Sequence, residues 1–183
     1  LCDRRQRQMC IRDRDYIAIV KLIEKYQLNN YASVIVQGSG GMAKAVVAAF
    51  KNRGFEKLKI YARNAKTGRY LAALYGYEYI DSLVNQCAEI LVNVTPIGMK
   101  GGKEETELAF PQSMINAANI AFDVVAIPAE TPFIRYAESK GKKVISGAEV
   151  IVLQAVEQFE LYTHQRPSNE LIEEAAAFAR TRS

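Results

Sequence analysis

A glycine-rich turn between an apolar strand and an apolar helix constrains the fold of this chain more than any other feature. The apolar run at 34–36 stops at the sequence GSGG (38–41), and apolar residues at helical spacing follow at once. This order of strand, glycine turn and helix is typical of a βαβ unit that binds a dinucleotide. Gly38 permits the tight turn, Gly40 lets the backbone approach a pyrophosphate, and Ala43 is small enough for close helix packing. The free N–H groups at the start of the helix then face the phosphates.

A cluster of cations follows the next predicted strand, at 57–62. Sites for NAD usually place an acidic side chain near this point to bind the ribose 2′-hydroxyl. Here Arg63 takes its place, with Lys66 and Arg69 close behind. An arginine can pair with a 2′-phosphate, which an acidic group would repel. The cluster therefore predicts NADP as the cofactor, although in isolation these residues could equally be solvated cations at the start of a helix.

Length, composition and charge restrict the class of protein. The chain has 183 residues, 49% of them apolar and 24% charged, which fits one soluble globular domain. Residues 1–14 contribute +3 of the net charge of +4, so the rest has no excess of cations that would favour nucleic acid as a partner. No run is long enough for a transmembrane helix and no secretory signal is evident. We therefore expect a cytoplasmic protein without a membrane partner, and Cys87, the one cysteine outside 1–14, fits a reducing compartment.

The first fourteen residues are unlike the rest of the chain. They contain five arginines and two of the three cysteines, and they lack helical and strand periodicity. The segment 9–14 resembles translated sequencing-adapter sequence, so we expect residues 1–14 to be a non-native or disordered leader. The alternative is a basic arm that binds nucleic acid or a membrane. On this interpretation the folded domain spans residues 15–183.

Alternating strand and helix patterns predict the fold class. Apolar residues at helical spacing predict helices at 16–26, 41–53, 67–75, 131–141, 147–162 and 168–180. Shorter apolar runs predict strands near 34–36, 57–62, 78–80, 88–94, 119–125 and 143–145. The long irregular segment at 98–110 is a candidate lid. We therefore predict an α/β fold: a Rossmann-type, doubly wound, mostly parallel sheet with helices on both faces, plus C-terminal helices.

Four sequence blocks, in this order, match a known family. They are GSGGMA at 38–43, ARN at 62–64, NVTPIGM at 93–99, and the segment from Asp123 onward, which includes PAETPFIRYA at 128–137 and GAEVIVLQAVEQFELYT at 147–163. With these blocks, residues 15–183 resemble the C-terminal, nucleotide-binding half of shikimate dehydrogenases, especially the shikimate-dehydrogenase-like branch. The glycine turn is shared by many enzymes, but NVTPIGM together with the late glycine–glutamine helix is fairly specific.

The resemblance implies NADP as cofactor and a set of residues that bind it. These residues lie in the glycine turn, after the second and fourth strands, and towards the last helices: Gly38, Ser39, Gly40, Gly41, Met42, Ala43, Ala62, Arg63, Asn64, Lys66, Asn93, Val94, Thr95, Pro96, Met99, Val124 and Gly147. Asn93 and Thr95 would hydrogen-bond the phosphate or ribose side, whereas Ile97 and Met99 would pack near the nicotinamide. Gly147 would lie beside the nicotinamide amide, where a side chain would block the approach. Without the resemblance, residues 93–96 are simply a turn that ends a strand.

The resemblance also implies two residues that act on the substrate. Gln154 matches the substrate-binding glutamine of the family, and its amide can donate to and accept from a hydroxyl. Asp15 matches the aspartate that partners the family's catalytic lysine, so it is the catalytic residue predicted in this chain. From the residues alone, Gln154 could be one polar position on an amphipathic helix and Asp15 the N-cap of the first helix.

The activity implied is hydride transfer between NADPH and 3-dehydroshikimate, with shikimate or a related cyclic hydroxy acid as the reduced partner, as in aromatic amino acid biosynthesis. The family's catalytic lysine belongs to an N-terminal substrate domain that residues 15–183 do not include, so we expect this isolated chain to be catalytically incomplete. Ala126 and Ile127 stand where many members have a tyrosine, which leaves a substrate other than shikimate open. His164, the only histidine, has no acidic or cysteine residues around it in a ligand pattern, so we predict no metal site.

Two alternatives to this interpretation stay open. The chain could be the NADP domain of another two-domain reductase, of the glutamyl-tRNA reductase type, or a non-catalytic nucleotide-binding module. The helix that carries Gly147 and Gln154 favours the shikimate branch, because the other reductase usually continues into a helical dimerisation domain. A small-molecule substrate is the expected partner, and a homodimer is compatible with the sequence.

Overall fold

A computed structural model of the chain describes the backbone of residues 4–181 and the side chains of residues 14–175, 177 and 178. Within this range the helices are α1 (Arg4–Lys25), α2 (Gly41–Asn52), α3 (Ala65–Tyr75), α4 (Gln112–Ala117), α5 (Pro132–Ser139), α6 (Gly147–Thr163) and α7 (Asn169–Thr181). The strands are β1 (Val34–Gln37), β2 (Leu58–Tyr61), β3 (Glu78–Ile80), β4 (Ile90–Asn93), β5 (Ile120–Asp123) and β6 (Lys143–Ile145). Apart from α1 and α4, these bounds lie within about two residues of the predicted ones, which is the usual uncertainty of helix and strand ends.

The strands of the described chain form one parallel sheet in the order β3-β2-β1-β4-β5-β6. The order reverses between β1 and β4, because the chain runs outward from β1 to β3 and then returns to build β4 to β6 on the other side. Open α/β sheets bind ligands at the carboxyl ends of the strands at such a reversal. The predicted Rossmann-type, doubly wound sheet is therefore confirmed, and the glycine turn after β1 lies at the reversal.

Alternation of side chains along the strands gives the sheet an apolar core on each face. Val34 and Val36 belong to one core, which includes side chains of α1, α2, α3 and α6. Ile35 belongs to the other, which includes side chains of α4 and α5. The largest buried side chains are aromatic and fill both cores: Phe50, Phe55 and Phe122 in the first, Phe110 and Phe133 in the second. Because both faces are covered, the central strands β1 and β4 are almost continuously apolar.

The first helix begins earlier than the apolar pattern predicts. We expected a helix only from residue 16, yet α1 begins at Arg4 and has 22 residues. Arginine, glutamine and methionine are strong helix formers, and this propensity does not depend on an apolar stripe. The expectation of a non-native or disordered leader at residues 1–14 stays a prediction, and residues 1–3 lie outside the described residues. Despite the length of α1, no helix within residues 4–181 is both long and apolar enough to cross a membrane.

Helix α4, which has only six residues, was not predicted from the sequence. Less than two helical turns do not establish a period, although Met114 and Ile115 are buried as a helix face would require. The segment 98–110 before it is irregular, as predicted. The N–H of Lys100 donates to the carbonyl of Ile127 at 2.9 Å, so this segment is held beside the loop after β5. Whether it moves as a lid stays a prediction.

Gly147 determines how closely α6 approaches the end of β5. It is the first residue of α6 and is buried. A Cβ built there would lie 2.2 Å from the carbonyl oxygen of Val125 and 2.6 Å from the carbonyl carbon of Val124. We expected a side chain at 147 to block a nicotinamide, but it would first collide with the protein's own backbone. Glycine is therefore needed here for packing, and a contact with the cofactor stays a prediction.

Replacing Gly147 by alanine is expected to lower the free energy of unfolding by about 1–3 kcal/mol, because the added methyl group pushes α6 away from the sheet. Gly41→Ala is the matched control, since Gly41 is also the first residue of its helix and a Cβ there meets nothing within 4 Å. Urea denaturation of the parent chain and both variants measures the difference. Equal stability of Gly147→Ala and the parent would contradict the close approach of α6 to β5.

Candidate functional site

The glycine turn leaves open, donor-rich backbone at the start of α2. Gly38 has a φ of +130°, and a Cβ there would lie 2.7 Å from Cγ2 of Val94, so both its conformation and its surroundings require glycine. At Gly40 and Gly41, by contrast, a Cβ would meet nothing within 4 Å. Gly40 is the N-cap of α2 and has no side chain to cap it. The first N–H groups of α2 can therefore bind an anion at a helix end that carries partial positive charge.

This turn is tied to the end of β2, where Arg63 lies. The N–H of Gly38 donates to the carbonyl of Tyr61 at 2.8 Å. The hydroxyl oxygens of Ser39 and Thr67 lie 2.7 Å apart and share a hydrogen bond. Arg63 follows β2 closely, and 62% of its side chain is exposed. The structure thus brings the cation predicted for a 2′-phosphate to the same edge of the sheet as the turn predicted for a pyrophosphate.

The other residues predicted for this half of the site differ in exposure. Ala43 and Ala62 are buried and pack in the interior, and Met42 is half-buried against the first core. Asn64 caps α3 by accepting a backbone N–H at 3.2 Å, so its side chain already has a structural use. Lys66 is exposed on the first turn of α3. Of these residues, Lys66 is therefore the one suited to supplement Arg63 at a phosphate.

Arg63 has a partner that sequence analysis did not predict. Its Nη1 donates to Oε1 of Glu104 at 2.8 Å. Glu104 belongs to the irregular segment 98–110, whose mixed charge was visible in the sequence. No periodicity relates a residue in such a loop to the end of a particular strand, so the contact could not be foreseen.

A buried hydrogen-bond network occupies the other half of the carboxyl edge. Asn93 and Asp123 are register partners at the ends of β4 and β5, and neither side chain has exposed surface. The amide nitrogen of Asn93 donates to Oδ1 of Asp123 at 3.0 Å, and the N–H of Val125 donates to the same oxygen at 3.0 Å. The hydroxyl of Thr131 donates to Oδ2 at 2.7 Å and also caps α5. The network therefore connects β4, β5 and the start of α5.

This network gives Asn93 and Thr95 a structural use, while the cofactor contacts predicted for them stay a prediction. The side-chain oxygen of Asn93 accepts from the N–H and the hydroxyl of Thr95, at 3.0 and 2.6 Å. The hydroxyl of Thr95 in turn accepts from the N–H of Ile97 at 3.3 Å. The enclosed, hydrogen-bonded amide of Asn93 therefore stabilises the turn. The alternative interpretation, a turn that ends a strand, is the use the structure makes of these two side chains.

The apolar residues around this turn divide into a buried and an accessible group. Ile97 is 7% exposed and belongs to the second core, and its packing near a nicotinamide stays a prediction. Met99 is 42% exposed, Pro96 is exposed, and Val94 and Val124 are half-buried. The accessible group therefore leaves apolar surface beside the strand ends for a ligand.

Asp123 is a buried acid to which sequence analysis assigned no role. Burial raises the pKa of Asp123 to about 7, although the hydrogen bonds from Thr131, Val125 and Asn93 oppose the shift. Between about pH 4 and pH 7 the folded state therefore retains a proton that the unfolded state has lost. Because only the folded state binds this proton in that range, the free energy of unfolding falls as the pH rises from about 4 to about 7. The available signal was a carboxylate at the end of the apolar strand IAFD.

Asp15 and Gln154, the two residues predicted to act on a substrate, lie in contact. Nε2 of Gln154 donates to Oδ1 of Asp15 at 2.7 Å, although the residues are 139 positions apart. Asp15 lies inside α1, so the alternative that it is an N-cap is wrong. Burial raises the pKa of Asp15 above its ordinary value, and the charge of Arg14 opposes this. The pair lines a cavity of about 350 Å³ together with Arg14, Ile151, Ala155 and Gln158.

Changing Asp123 to asparagine is expected to remove part of the pH dependence of stability. The free energy of unfolding of the parent should decrease from pH 4 to pH 7, because the carboxyl of Asp123 loses its proton at a lower pH in the unfolded state than in the folded state. An asparagine cannot titrate, so the variant should show a smaller decrease. Urea denaturation at several pH values measures both, with Asp81→Asn as a control at an exposed aspartate. The same pH dependence in parent and Asp123→Asn would mean that Asp123 is ionised in the folded protein throughout this range.

Known proteins match both the sequence and the fold of this chain. No protein-family model matches it. A shikimate dehydrogenase-like protein of Haemophilus influenzae is 80% identical over 168 residues, which are 92% of this chain and 62% of that protein. A solved structure of a shikimate 5-dehydrogenase-like protein has the same 80% identity and a TM-score of 0.88, and it covers 91% of this chain and 62% of its own.

A more distant structure supports the same assignment. The shikimate 5-dehydrogenase of Thermus thermophilus, solved in complex with NADP(H) and shikimate, is 27% identical with a TM-score of 0.78, over 91% of this chain and 62% of its own. The chain therefore spans less than two thirds of the length of the proteins it matches. With 80% identity over 92% of its residues and a TM-score of 0.88, the chain is similar in sequence and in fold to a domain-sized part of a shikimate dehydrogenase-like protein.

Proposed function

We propose that the carboxyl edge of the sheet binds NADP(H), with the pyrophosphate at the start of α2 and the 2′-phosphate at Arg63. One observation carries this proposal: the uncovered backbone at Gly40 and Gly41 lies at the reversal of strand order, where β2 also brings an exposed guanidinium. These donors fit a ligand with phosphates at two positions, because N–H groups at a helix start bind one and an arginine binds the other. The likeness to an enzyme solved with NADP(H) supports the same cofactor.

The remaining residues of this edge would orient the cofactor. When bound, its nicotinamide supplies the hydride acceptor or donor. The partly exposed side chains of Val94, Met99 and Val124 offer an apolar surface for the ring. Val94 and Met99 lie on the turn after β4. Asn93 stabilises this turn through its hydrogen bonds to Asp123 and to the backbone of Thr95.

The substrate that we propose is shikimate or 3-dehydroshikimate, or a related cyclic hydroxy acid, bound at the pair Asp15–Gln154. The glutamine amide can donate to and accept from a ring hydroxyl, and the carboxylate can accept from one. Their mutual hydrogen bond holds both groups together in the lining of one cavity. The proposal is supported by the similarity of the chain to a shikimate dehydrogenase-like protein and to the enzyme whose complex contains shikimate.

Hydride transfer from an alcohol also requires a group that accepts the hydroxyl proton. Among the described side chains that line the Asp15–Gln154 cavity there is neither a lysine nor a histidine. The proton acceptor that the family places on a lysine is therefore missing from this cavity. We infer that the 183-residue chain binds NADP(H) but has little activity on its own.

The purified chain is therefore expected to oxidise shikimate at least about 100-fold more slowly than a full-length shikimate dehydrogenase, because positioned proton transfer contributes roughly 10²–10⁴ in rate. The rate of NADPH formation, followed by absorbance with shikimate and NADP in excess, measures this. A full-length family enzyme in the same assay is the positive control. Turnover within tenfold of that enzyme would contradict the incompleteness of the chain, whereas NADP binding without any binding of shikimate would favour a non-catalytic nucleotide-binding module.

Replacing Arg63 by alanine is expected to weaken NADP binding by about 1–3 kcal/mol, the scale of a lost charge-assisted hydrogen-bonded pair, with little effect on NAD. Calorimetric titration of each nucleotide into parent and variant measures both affinities. Arg69→Ala is the matched control, because it removes the same charge from a nearby position. The guanidinium of Arg69 packs over the ring of Tyr79, 4.6 Å from its centroid, and has no predicted contact with the 2′-phosphate. Equal losses for NADP and NAD in Arg63→Ala would show that Arg63 does not bind the 2′-phosphate.

A further inference from the structure

The ion pair between Arg63 and Glu104 bears directly on which nucleotide the site prefers. Glu104 comes from the segment after β4, yet its carboxylate reaches the end of β2 and accepts from Nη1 of Arg63 at 2.8 Å. A carboxylate therefore lies against the guanidinium that follows β2, the strand after which NAD sites usually carry an acidic residue. It reaches this position from a different part of the chain.

Glu104 is the better fixed partner of the two. Its carbonyl accepts from the N–H of Gly98 at 2.9 Å and from the N–H of Glu107 at 3.2 Å, so its backbone is held inside the loop. Its side chain is 26% exposed, compared with 62% for Arg63. Separation of the pair should therefore occur by movement of the arginine, with the carboxylate left in place near the ribose.

We propose that Glu104 is a specificity-determining residue that competes with the 2′-phosphate of NADP for Arg63. This inference rests on the proposed function, in which Arg63 binds that phosphate. A phosphate dianion that approaches Arg63 must displace the carboxylate or tolerate it as a close like charge, and either reduces the gain from binding. NAD has a hydroxyl in place of the 2′-phosphate, and this hydroxyl can donate a hydrogen bond to a carboxylate. Glu104 therefore does not oppose the binding of NAD. Glu104 therefore lowers the ratio of the affinity for NADP to the affinity for NAD.

Removal of this charge without loss of shape tests the proposal. In Glu104→Gln we expect the affinity for NADP and for 2′,5′-ADP to rise at least about fivefold, while the affinity for NAD and for 5′-AMP does not rise. The probes 2′,5′-ADP and 5′-AMP differ in the 2′-phosphate, so they isolate this end of the site from any effect at the nicotinamide. Calorimetric titration of the full 183-residue chain gives the four affinities.

Two further variants separate the proposal from its alternatives. Glu107→Gln removes the same charge from an exposed position of the same loop, and it should change all four affinities by less than twofold. The double variant Arg63→Ala/Glu104→Gln should bind NADP no more than twofold better than Arg63→Ala, because the competition requires the arginine.

The possible results distinguish failure of this inference from failure of the proposed function. If Arg63→Ala loses affinity for 2′,5′-ADP but Glu104→Gln binds it no better than the parent, Glu104 does not compete and the inference is overturned. Weaker binding by Glu104→Gln would mean that the carboxylate orients Arg63, which also overturns it. If Glu107→Gln gains as much affinity for 2′,5′-ADP as Glu104→Gln does, the effect comes from the net charge of the loop and the inference is overturned. If Arg63→Ala binds as the parent does, or if the parent binds none of the nucleotides, the proposed cofactor site fails and the inference fails with it.

Discussion

The parallel pairing of β1 with β4 is the contact on which the rest of the site depends. Their register places Gln37 opposite Asn93, and the N–H of Val94 donates to the carbonyl of Gln37 at 2.9 Å. The two strands therefore end together, and the turn after one lies directly against the turn after the other. Gly38 has to be glycine because the chain after β4 occupies the space of its Cβ. The helices that follow the two strands, α2 and α4, pack on opposite faces of the sheet, the arrangement that in open α/β sheets leaves a crevice between the turns.

A row of polar residues lies beneath this crevice. Gln37, Asn93 and Asp123 end three adjacent strands, and all three are buried. Burial of polar groups is unfavourable unless they are hydrogen-bonded, and for Asn93 and Asp123 the bonds go to the loops above them. Asn93 and Asp123 therefore use their polar groups to hold the loops in one conformation. The strand ends act as a rigid base, while the ligand would touch the backbone and side chains that the base supports.

The fold was largely predictable because its signals are local. Each strand and helix between residues 34 and 181, except α4, has an apolar period or a glycine that ends it, and a repeated strand–helix order allows few topologies. The short α4 and the early start of α1 lack such a period. The glycine turn was also predictable, since its three functions are encoded in neighbouring residues.

The finer parts of the site were less predictable because they depend on contacts between distant residues. Nothing near Asn93 in sequence indicates that Asp123 will bury its amide, and nothing near Arg63 indicates that Glu104 will reach it. The resemblance to the family identified Asn93 and Gly147 as important positions but gave them contacts with a ligand. The structure gives both a role in packing: one in a hydrogen-bond network, the other in the approach of a helix to a strand.

The first helix has a consequence for anyone who wishes to excise the nucleotide-binding unit for engineering. The βαβ repeat begins only at β1, and a boundary chosen from the repeat alone would discard α1. However, α1 packs on α2 and α6, and three of its apolar side chains, Ala18, Ile19 and Leu22, are completely enclosed. Its polar contacts with α6 include Asp15–Gln154 and Lys21–Glu157. An excised nucleotide-binding unit therefore has to retain α1 from a point before Asp15. Without α1, the apolar surface of α2 and α6 would be exposed to water and Gln154 would lose its hydrogen-bond partner.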